Sequence, residues 1–512
     1  MGRKAQGITD MTDSKKYLVG VDIGTTSLKT AIFDTDGNTI SSSTVDYTLD
    51  TKGSFVEFDG SEYISIVRQS LTEAAQKAFP DCDKEKTAEL IAGLSVDTQG
   101  ETLIVTDESF VPLRPAIVWL DNRADAEAKK IEADYGHEHV YRVTGQPEIT
   151  ATWPACKLMW IRENEPSVFN RIKHVFLLED WILWALTGKT VTEPTIQSST
   201  IYFDIRKKQW WKEMLDYIGL DSSVFSEIVP SGVRVGAMDA EWFFGGGEAG
   251  KGRDGGIPVI SGALDQISGA IGAGAVGSGV ISEMTGTTMA VFVPASEIPP
   301  YNQDSIIPCH INYDGGYALL SWTPTAGIAL KWFKNQLCEN FSFRELDELA
   351  EKAEPGCSGL VFIPYLCGST MPKYNPDARG VFYGLTMEHT RGHMVRAILE
   401  SVACMLRSNL EYLGVSCDEI RTMGGGASSP LWCQIKADIT GTRLATLKNT
   451  ETACLGTAIL AGTGAGVFES VEAACEKIVR TDKIYIPNRN EKTEDAYLRY
   501  VEADEKLYPA GR

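Results

Sequence analysis

Histidine is scarce in this chain, six in 512 residues, and the pair His137 and His139 has no acidic or cysteine residue at metal-ligand spacing. A histidine metal centre is therefore not expected. The eleven cysteines include no C-x-x-C pair, which argues against a zinc site or a disulfide framework and leaves reduced core thiols. Positive charge is also short: 48 Lys and Arg stand against 69 Asp and Glu, a net charge of -21. Such a surface disfavours nucleic acid and anionic membranes as partners. Any anionic ligand must then be held by local dipoles, backbone amides and a metal. No apolar run suits a membrane span, since the longest, Ile257 to Ile281, is broken by Asp265 and Gln266 and is rich in glycine. Met1 to Lys16 has no apolar core of signal-peptide length and reads as a polar leader, so a cytoplasmic location is expected.

What is present is ordinary for a globular protein, with 43% hydrophobic and 23% charged residues. The length calls for two domains, and the division is expected at 15–256 and 257–512, with the glycine-rich Gly245 to Gly256 as the passage between them. Strand-like runs at Tyr17–Phe33, Leu90–Val96 and Thr102–Asp107 interleave with helical spacing at Tyr63–Ala78, Ala124–Ala133 and Pro166–Leu186. A second series opens at Pro258–Ser261, Gly279–Met284, Ala290–Val293 and Tyr317–Leu320. Helices are expected after it at Gly327–Asn340, Phe343–Lys352 and Arg391–Leu413. The predicted class is α/β, built twice.

The turn Asp22-Ile23-Gly24-Thr25-Thr26, at the end of an apolar run, is answered by Met284-Thr285-Gly286-Thr287-Thr288 in the second half. A glycine and paired hydroxyls in a tight turn offer N–H and O–H donors to phosphate, and the carboxylate is free to face a metal. Two such turns suggest a nucleotide triphosphate held between duplicated domains. Asp265-Gln266 follows the strand Pro258–Ser261 and precedes a run of small residues. Its carboxylate suits either a general base for a substrate hydroxyl or a helix N-cap. The triple glycine Gly424-Gly425-Gly426, with Ala427 and Ser428, is either a plain loop or a place where a base and ribose approach the backbone. Gln99, Gly100 and Glu101, with Trp119, offer polar groups and an aromatic wall for a polyol. The bland alternative is a solvated turn and a core tryptophan.

Together these residues resemble the FGGY carbohydrate kinases. Gly380-Val381-Phe382-Tyr383-Gly384-Leu385, His393-Met394 and Ala397-Ile398-Leu399-Glu400 are similar to the family's C-terminal signature, and Lys157 to Asn164 looks like its N-terminal one. The resemblance spans roughly Tyr17 to Phe468. It implies two ribonuclease-H-like domains of the actin, hexokinase and Hsp70 superfamily with a cleft between them, sugar bound mainly by the first and ATP mainly by the second. By the same resemblance Asp265 is the catalytic base, and Asp22 with Asp265 positions Mg²⁺. ATP contacts fall to Gly24, Thr25, Thr26, Lys29, Gly286, Thr287, Thr288, Gly425, Gly426, Ala427 and Ser428. Substrate contacts fall to Gln99, Gly100, Glu101, Trp119, Asp265 and Gln266.

The implied reaction is phosphoryl transfer from ATP with Mg²⁺, in which positioning and charge neutralisation do most of the catalysis. A base that takes its proton late suits a carboxylate of ordinary pKa, about 4. Gln99, Glu101, Thr102 and Asp265-Gln266 look like glycerol kinases, whereas Leu113-Arg114-Pro115-Ala116-Ile117 and Gly425-Gly426-Ala427-Ser428 look nearer to xylulokinases. Gly100 stands where glycerol kinases have arginine, and the lost arginine is expected to leave room for a longer substrate. A ketopentose such as D-xylulose is the preferred substrate, with glycerol, erythritol or another short polyol as the alternative. A different class, a sugar sensor or ATP-driven conformational protein of the same fold, stays open, as does association of two copies.

Overall fold

Two mixed sheets, one in each half of the chain, present the ends of their central strands to a common cleft. The computed structural model describes residues 16–302, 307–371 and 373–509, so the leader read over Met1 to Lys16 lies outside the described residues save for Lys16. The first sheet has six strands in the order Arg234–Met238, Ile257–Ile260, Ile91–Thr98, Tyr17–Ile23, Ser27–Asp34 and Thr39–Asp46. Its centre is parallel, with Tyr17–Ile23 beside Ile91–Thr98, and a meander of antiparallel strands follows on one side. Central strands are buried on both faces and read as continuous apolar runs, whereas the edge strand Thr39–Asp46 alternates outward polar with inward Ser41, Ser43 and Val45.

The second sheet repeats the pattern over seven strands: Cys309–Ile311, Tyr317–Thr323, Met289–Ala295, Val280–Thr285, Glu419–Met423, Arg443–Leu447 and Thr481–Tyr485. A smaller five-stranded sheet, containing Leu103–Thr106 and His174–Leu177, extends the first half. The helix Gly60–Ala78 shows why such elements form here. Asp59 accepts from the Ser61 amide at its start, and Tyr63, Ile64, Val67, Leu71, Ala74 and Ala75 bury one face.

Two expectations change. The single helix read over Pro166–Leu186 is a short helix Pro166–Phe169, the strand His174–Leu177 and the helix Leu178–Thr187. The run His174-Val175-Phe176-Leu177 has a partner waiting in Leu103–Thr106, and pairing outweighs local spacing. The segment Gly245–Gly256 joins Arg234–Met238 to Ile257–Ile260, which are antiparallel neighbours in the first sheet. The chain leaves that sheet after the helix Asp265–Ala273, so a cut after residue 256 would separate a hydrogen-bonded pair of strands.

The halves meet along the helices Asp265–Ala273 and Thr452–Gly464, whose core joins Leu18 and Phe33 of the first sheet to Phe292 of the second. A Cβ on Gly272 would stand 1.8 Å from the Thr452 carbonyl, and one on Gly456 would stand 1.8 Å from that of Ser268. Backbone rests on backbone there. Among the described residues no helix is long and apolar enough to cross a membrane, and eight of the eleven free cysteines are buried.

Candidate active site

The parallel register of Tyr17–Ile23 and Ile91–Thr98 puts Asp22 directly beside Asp97, at the strand ends that face the cleft. Asp97 is fully buried and takes a short hydrogen bond from Thr457. Burial pushes the Asp22 carboxyl up to about 6. Burial, then the charge of Asp22, pushes the Asp97 carboxyl well above the usual carboxylate range. Asp97 is absent from the residues picked out by sequence, although it ends its apolar run as Asp22 does.

The first threonine turn follows. The Gly24 amide donates to the Ser27 carbonyl at 3.1 Å, Tyr47 donates to the Gly24 carbonyl, and the Trp119 indole donates to Thr25 Oγ1 at 2.9 Å. Thr26 is exposed beyond them. Lys29 pairs with Glu451 at 2.7 Å and so ties the strand after the turn to the helix Thr452–Gly464.

Asp265 opens its helix as the first helical residue. The cap position belongs to Leu264, which makes no side-chain cap bond, so the N-cap alternative falls away. Its Oδ1 instead accepts from the Gln266 amide at 2.7 Å, while Gln266 itself is exposed. The ordinary pKa expected for this base does not hold. Burial, then the charges of Asp22 and Glu101, drives the Asp265 carboxyl well above the usual range. A cation or a substrate hydroxyl would bring it back down.

The polar wall lies beside it. Glu101 has φ 55, a conformation non-glycine residues seldom adopt, and the Thr102 amide closes the turn onto the Gly100 carbonyl at 2.7 Å. Lys157 holds this shape from behind: fully buried, it donates to the Glu101 carbonyl at 2.9 Å and the Val118 carbonyl at 3.0 Å, so it fixes both wall segments at once. Burial lowers its pKa to about 7. Gln99 donates to the Tyr63 hydroxyl at 3.3 Å and leaves its buried Oε1 without a partner. Gly100, however, leaves no open room. A Cβ there would meet Leu264 at 3.1 Å and Ser199 at 3.4 Å, so neighbouring side chains already occupy the space expected for substrate.

Across the cleft the second threonine turn is built on a buried ion pair. Lys436 and Glu283 lie 2.9 Å apart with both side chains fully buried, and Lys436 also donates to Thr285 Oγ1 at 2.8 Å. Thr287 presents an exposed side chain, and its carbonyl accepts the amides of Ala326 and Ile328 at 3.1 Å each. Gly286 and Thr288 flank it, bonded amide to carbonyl at 2.9 Å. Gly424, with φ 74, lies against the Thr285 carbonyl, and Gly425, Gly426, Ala427 and Ser428 form one turn of 3₁₀ helix beside it. Sequence reading missed Glu283 and Lys436, which are distant in sequence and meet only in the fold.

A divalent cation suits this arrangement. Asp97 Oδ1 is buried without a hydrogen-bond partner, the charge of Asp22 reaches Asp265, and all the donors are hard oxygens. Among the described residues no three acids, histidines or cysteines form a cage by themselves. An ion here would complete its shell from water and phosphate, as Mg²⁺ commonly does.

Comparison with known proteins agrees with this geometry. The chain is 29% identical over 499 residues to a xylulose kinase of Staphylococcus epidermidis, covering 96% of this chain and 97% of the relative. It is 28% identical over 482 residues to a gluconokinase of Bacillus subtilis, with 91% of each covered. The structure of a ligand-bound xylulose kinase from Lactobacillus acidophilus superposes with a TM-score of 0.86 at 25% identity, over 97% of this chain and 99% of that one. The pattern of the FGGY family of carbohydrate kinases matches as an N-terminal domain over residues 17–272 and a C-terminal domain over 277–465. With two ribonuclease-H-like halves and acids converging on the cleft between two threonine turns, the chain belongs to the FGGY family of carbohydrate kinases.

Proposed function

We propose that this kinase transfers the γ-phosphoryl group of ATP to a hydroxyl of a neutral ketopentose such as xylulose, with Asp265 as the base. The observation that carries the reading is that Leu264, the residue before Asp265, pairs with Thr98 at the head of the polar wall, while Thr98 in turn lies in register with Ile23 of the first threonine turn. A sugar hydroxyl between Glu101 and Asp265 would face a phosphate held by the threonine turns. Gln99, Glu101 and Gln266 would bind hydroxyls, and Trp119, its indole N–H given to Thr25, would supply an apolar wall.

Asp265 orients the attacking oxygen and accepts its proton as the phosphoryl group departs from ADP. Thr25, Thr26, Thr287 and Thr288 supply amides and hydroxyls to the phosphates, and Gly24 and Gly286, whose own amides close the turns, let the phosphates approach. Gly425, Gly426, Ala427 and Ser428 offer backbone to the adenosine. Mg²⁺, held by Asp22 and Asp265, would neutralise charge on the phosphate oxygens.

Charge favours a neutral sugar over an aldonate. Glu101, Asp265, Asp22 and Asp97 surround the site, while Lys157 already serves two carbonyls and Lys29 is paired with Glu451. Among the described residues named at the site, no cation is then left free for a substrate carboxylate. A coupled assay of xylulose, gluconate, glycerol and erythritol with ATP and Mg²⁺ tests this. Xylulose is expected to give the highest kcat/KM, and a preference for gluconate would overturn the reading.

Two substitutions separate the halves of the site. Thr287→Val should raise the KM for ATP or lower turnover while sugar affinity holds, because its hydroxyl faces phosphate. A fall in sugar affinity with ATP kinetics unchanged would mean that the two ligands sit the other way round. Glu101→Ala removes an acceptor facing the sugar, and an unpaired polar group costs about 1–3 kcal/mol, or roughly 10- to 100-fold in sugar kcat/KM. Equal losses for ATP and sugar would argue that Glu101 merely supports the turn.

A further inference from the structure

The segment Glu193 to Ser199 carries no residue assigned above, yet it touches three regions of the site. Glu193 is fully buried, and its carboxylate is saturated: Oε1 accepts from the Thr195 hydroxyl and the Ile196 amide at 2.7 Å each, and Oε2 accepts from the Thr195 amide at 2.6 Å and the Ser231 hydroxyl at 2.8 Å. Thr195 Oγ1 has thereby committed its only proton. Its lone pair accepts the Leu264 amide at 2.7 Å, and Leu264 is the residue before Asp265. Four residues along, Ser199 Oγ lies against the polar wall, 3.4 Å from where a Cβ on Gly100 would stand. Between them, Ser198 Oγ accepts the Ile311 amide at 2.9 Å, from the edge strand of the second sheet.

We propose that Thr195, oriented by Glu193, is a positioning residue for Asp265, and that Glu193 to Ser199 sets the base, the sugar wall and the second sheet in register with one another. This rests on the assignment of Asp265 as the base. The loop before Asp265 has few other restraints on its cleft side: the Glu179 carboxylate holds the Gly262 amide at 2.9 Å, and Leu264 pairs once with Thr98. Without the Thr195 hydroxyl the buried Leu264 N–H loses its acceptor, and the first turn of the helix is free to shift. Misplacement of a reacting group by about 1 Å costs about 10²-fold in rate.

The test is a kinetic cycle on the full-length enzyme with ATP, Mg²⁺ and the best sugar from the substrate screen. Thr195→Val should lower kcat about 10- to 100-fold and leave both KM values within about threefold. Thr195→Ser, which keeps the hydroxyl, should return kcat to within about threefold of the parent. In an Asp265→Asn background Thr195→Val should add almost nothing, since there is no longer a base to position. A parental kcat for Thr195→Val, or the same loss with and without Asp265, overturns the positioning role and leaves the base assignment standing. Parental turnover in Asp265→Asn alone would instead remove the base assignment itself. Should Thr195→Val fail to fold, Thr195→Ala, which removes the hydroxyl without placing a methyl against the Leu264 amide, carries the same expectation and the same overturning result.

Discussion

Asp265→Asn lowers turnover about 10²-fold or more while binding of ATP and sugar stays nearly intact, the scale expected for loss of a general base. The amide keeps the shape of the carboxylate and an oxygen to accept the Gln266 N–H, so the helix start is undisturbed. The neighbouring acids are poorly placed to replace it: Asp97 is fully buried and already takes the Thr457 hydroxyl, and Glu101 lies on the polar wall. The same substitution should leave the ligand-free protein at least as stable as the parent above neutral pH. A carboxyl whose folded pKa lies above its unfolded value contributes stability below the unfolded pKa, and that contribution is lost as pH rises through the folded value. Asparagine does not titrate, so the melting temperature of Asp265→Asn should gain on the parent as pH rises from about 4. Turnover within a few-fold of the parent would exclude the base role. A melting difference independent of pH would show that Asp265 is not held in a charge-hostile place.

Lys436→Met should cost about 3–5 kcal/mol in the unfolding of the second half, because it strands Glu283 as an unpaired buried charge. Both side chains are fully buried 2.9 Å apart, so water cannot compensate. The Thr285 and Thr422 hydroxyls would remain on Glu283, but neither carries charge. Denaturant midpoints measured by tryptophan fluorescence would report the loss, and pairing the change with Glu283→Gln should recover most of it. The KM for ATP should rise too, since Lys436 bonds Thr285 and a Gly426 Cβ would lie only 3.4 Å from its Nζ. If Lys436→Met unfolds at the parental midpoint, the pair adds nothing to the stability of the turn.

The features of the site that read directly from sequence are those in which one short segment contains the whole device. A strand, a glycine and two hydroxyls spell the two threonine turns at Asp22–Thr26 and Met284–Thr288, proposed above to hold phosphate, and a strand end followed by small residues marks the helix that Asp265 opens. What stayed hidden depends on partners far along the chain. Asp97 acquires meaning only beside Asp22, Lys157 only beneath Glu101 and Val118, and Glu283 only against Lys436. Helical spacing over Pro166–Leu186 concealed a strand because a four-residue apolar run fits either state until its neighbour is known. Composition suggested an interdomain passage at Gly245–Gly256, yet glycine marks a turn wherever one falls, and this one lies within a single sheet. Gly100 misled for a related reason: a missing side chain does not reveal who fills the gap, and Leu264 and Ser199 fill it.

At Gly272 and Gly456 the helices that join the two halves cross with no side chain between them. Interlocked ridges would fix the crossing angle, because turning one helix would lift every knob out of its groove. Here the contact at the crossing is backbone on backbone, and buried Ile267, Ile271, Leu455 and Ile459 pack around it. Asp265 opens one of these helices and Thr457, next to Gly456 on the other, bonds Asp97, so a shift at this crossing reaches the acids of the site directly. One methyl on either glycine, 1.8 Å from a carbonyl oxygen, would force the helices apart and carry Asp265 and the Thr457 bond to Asp97 with them.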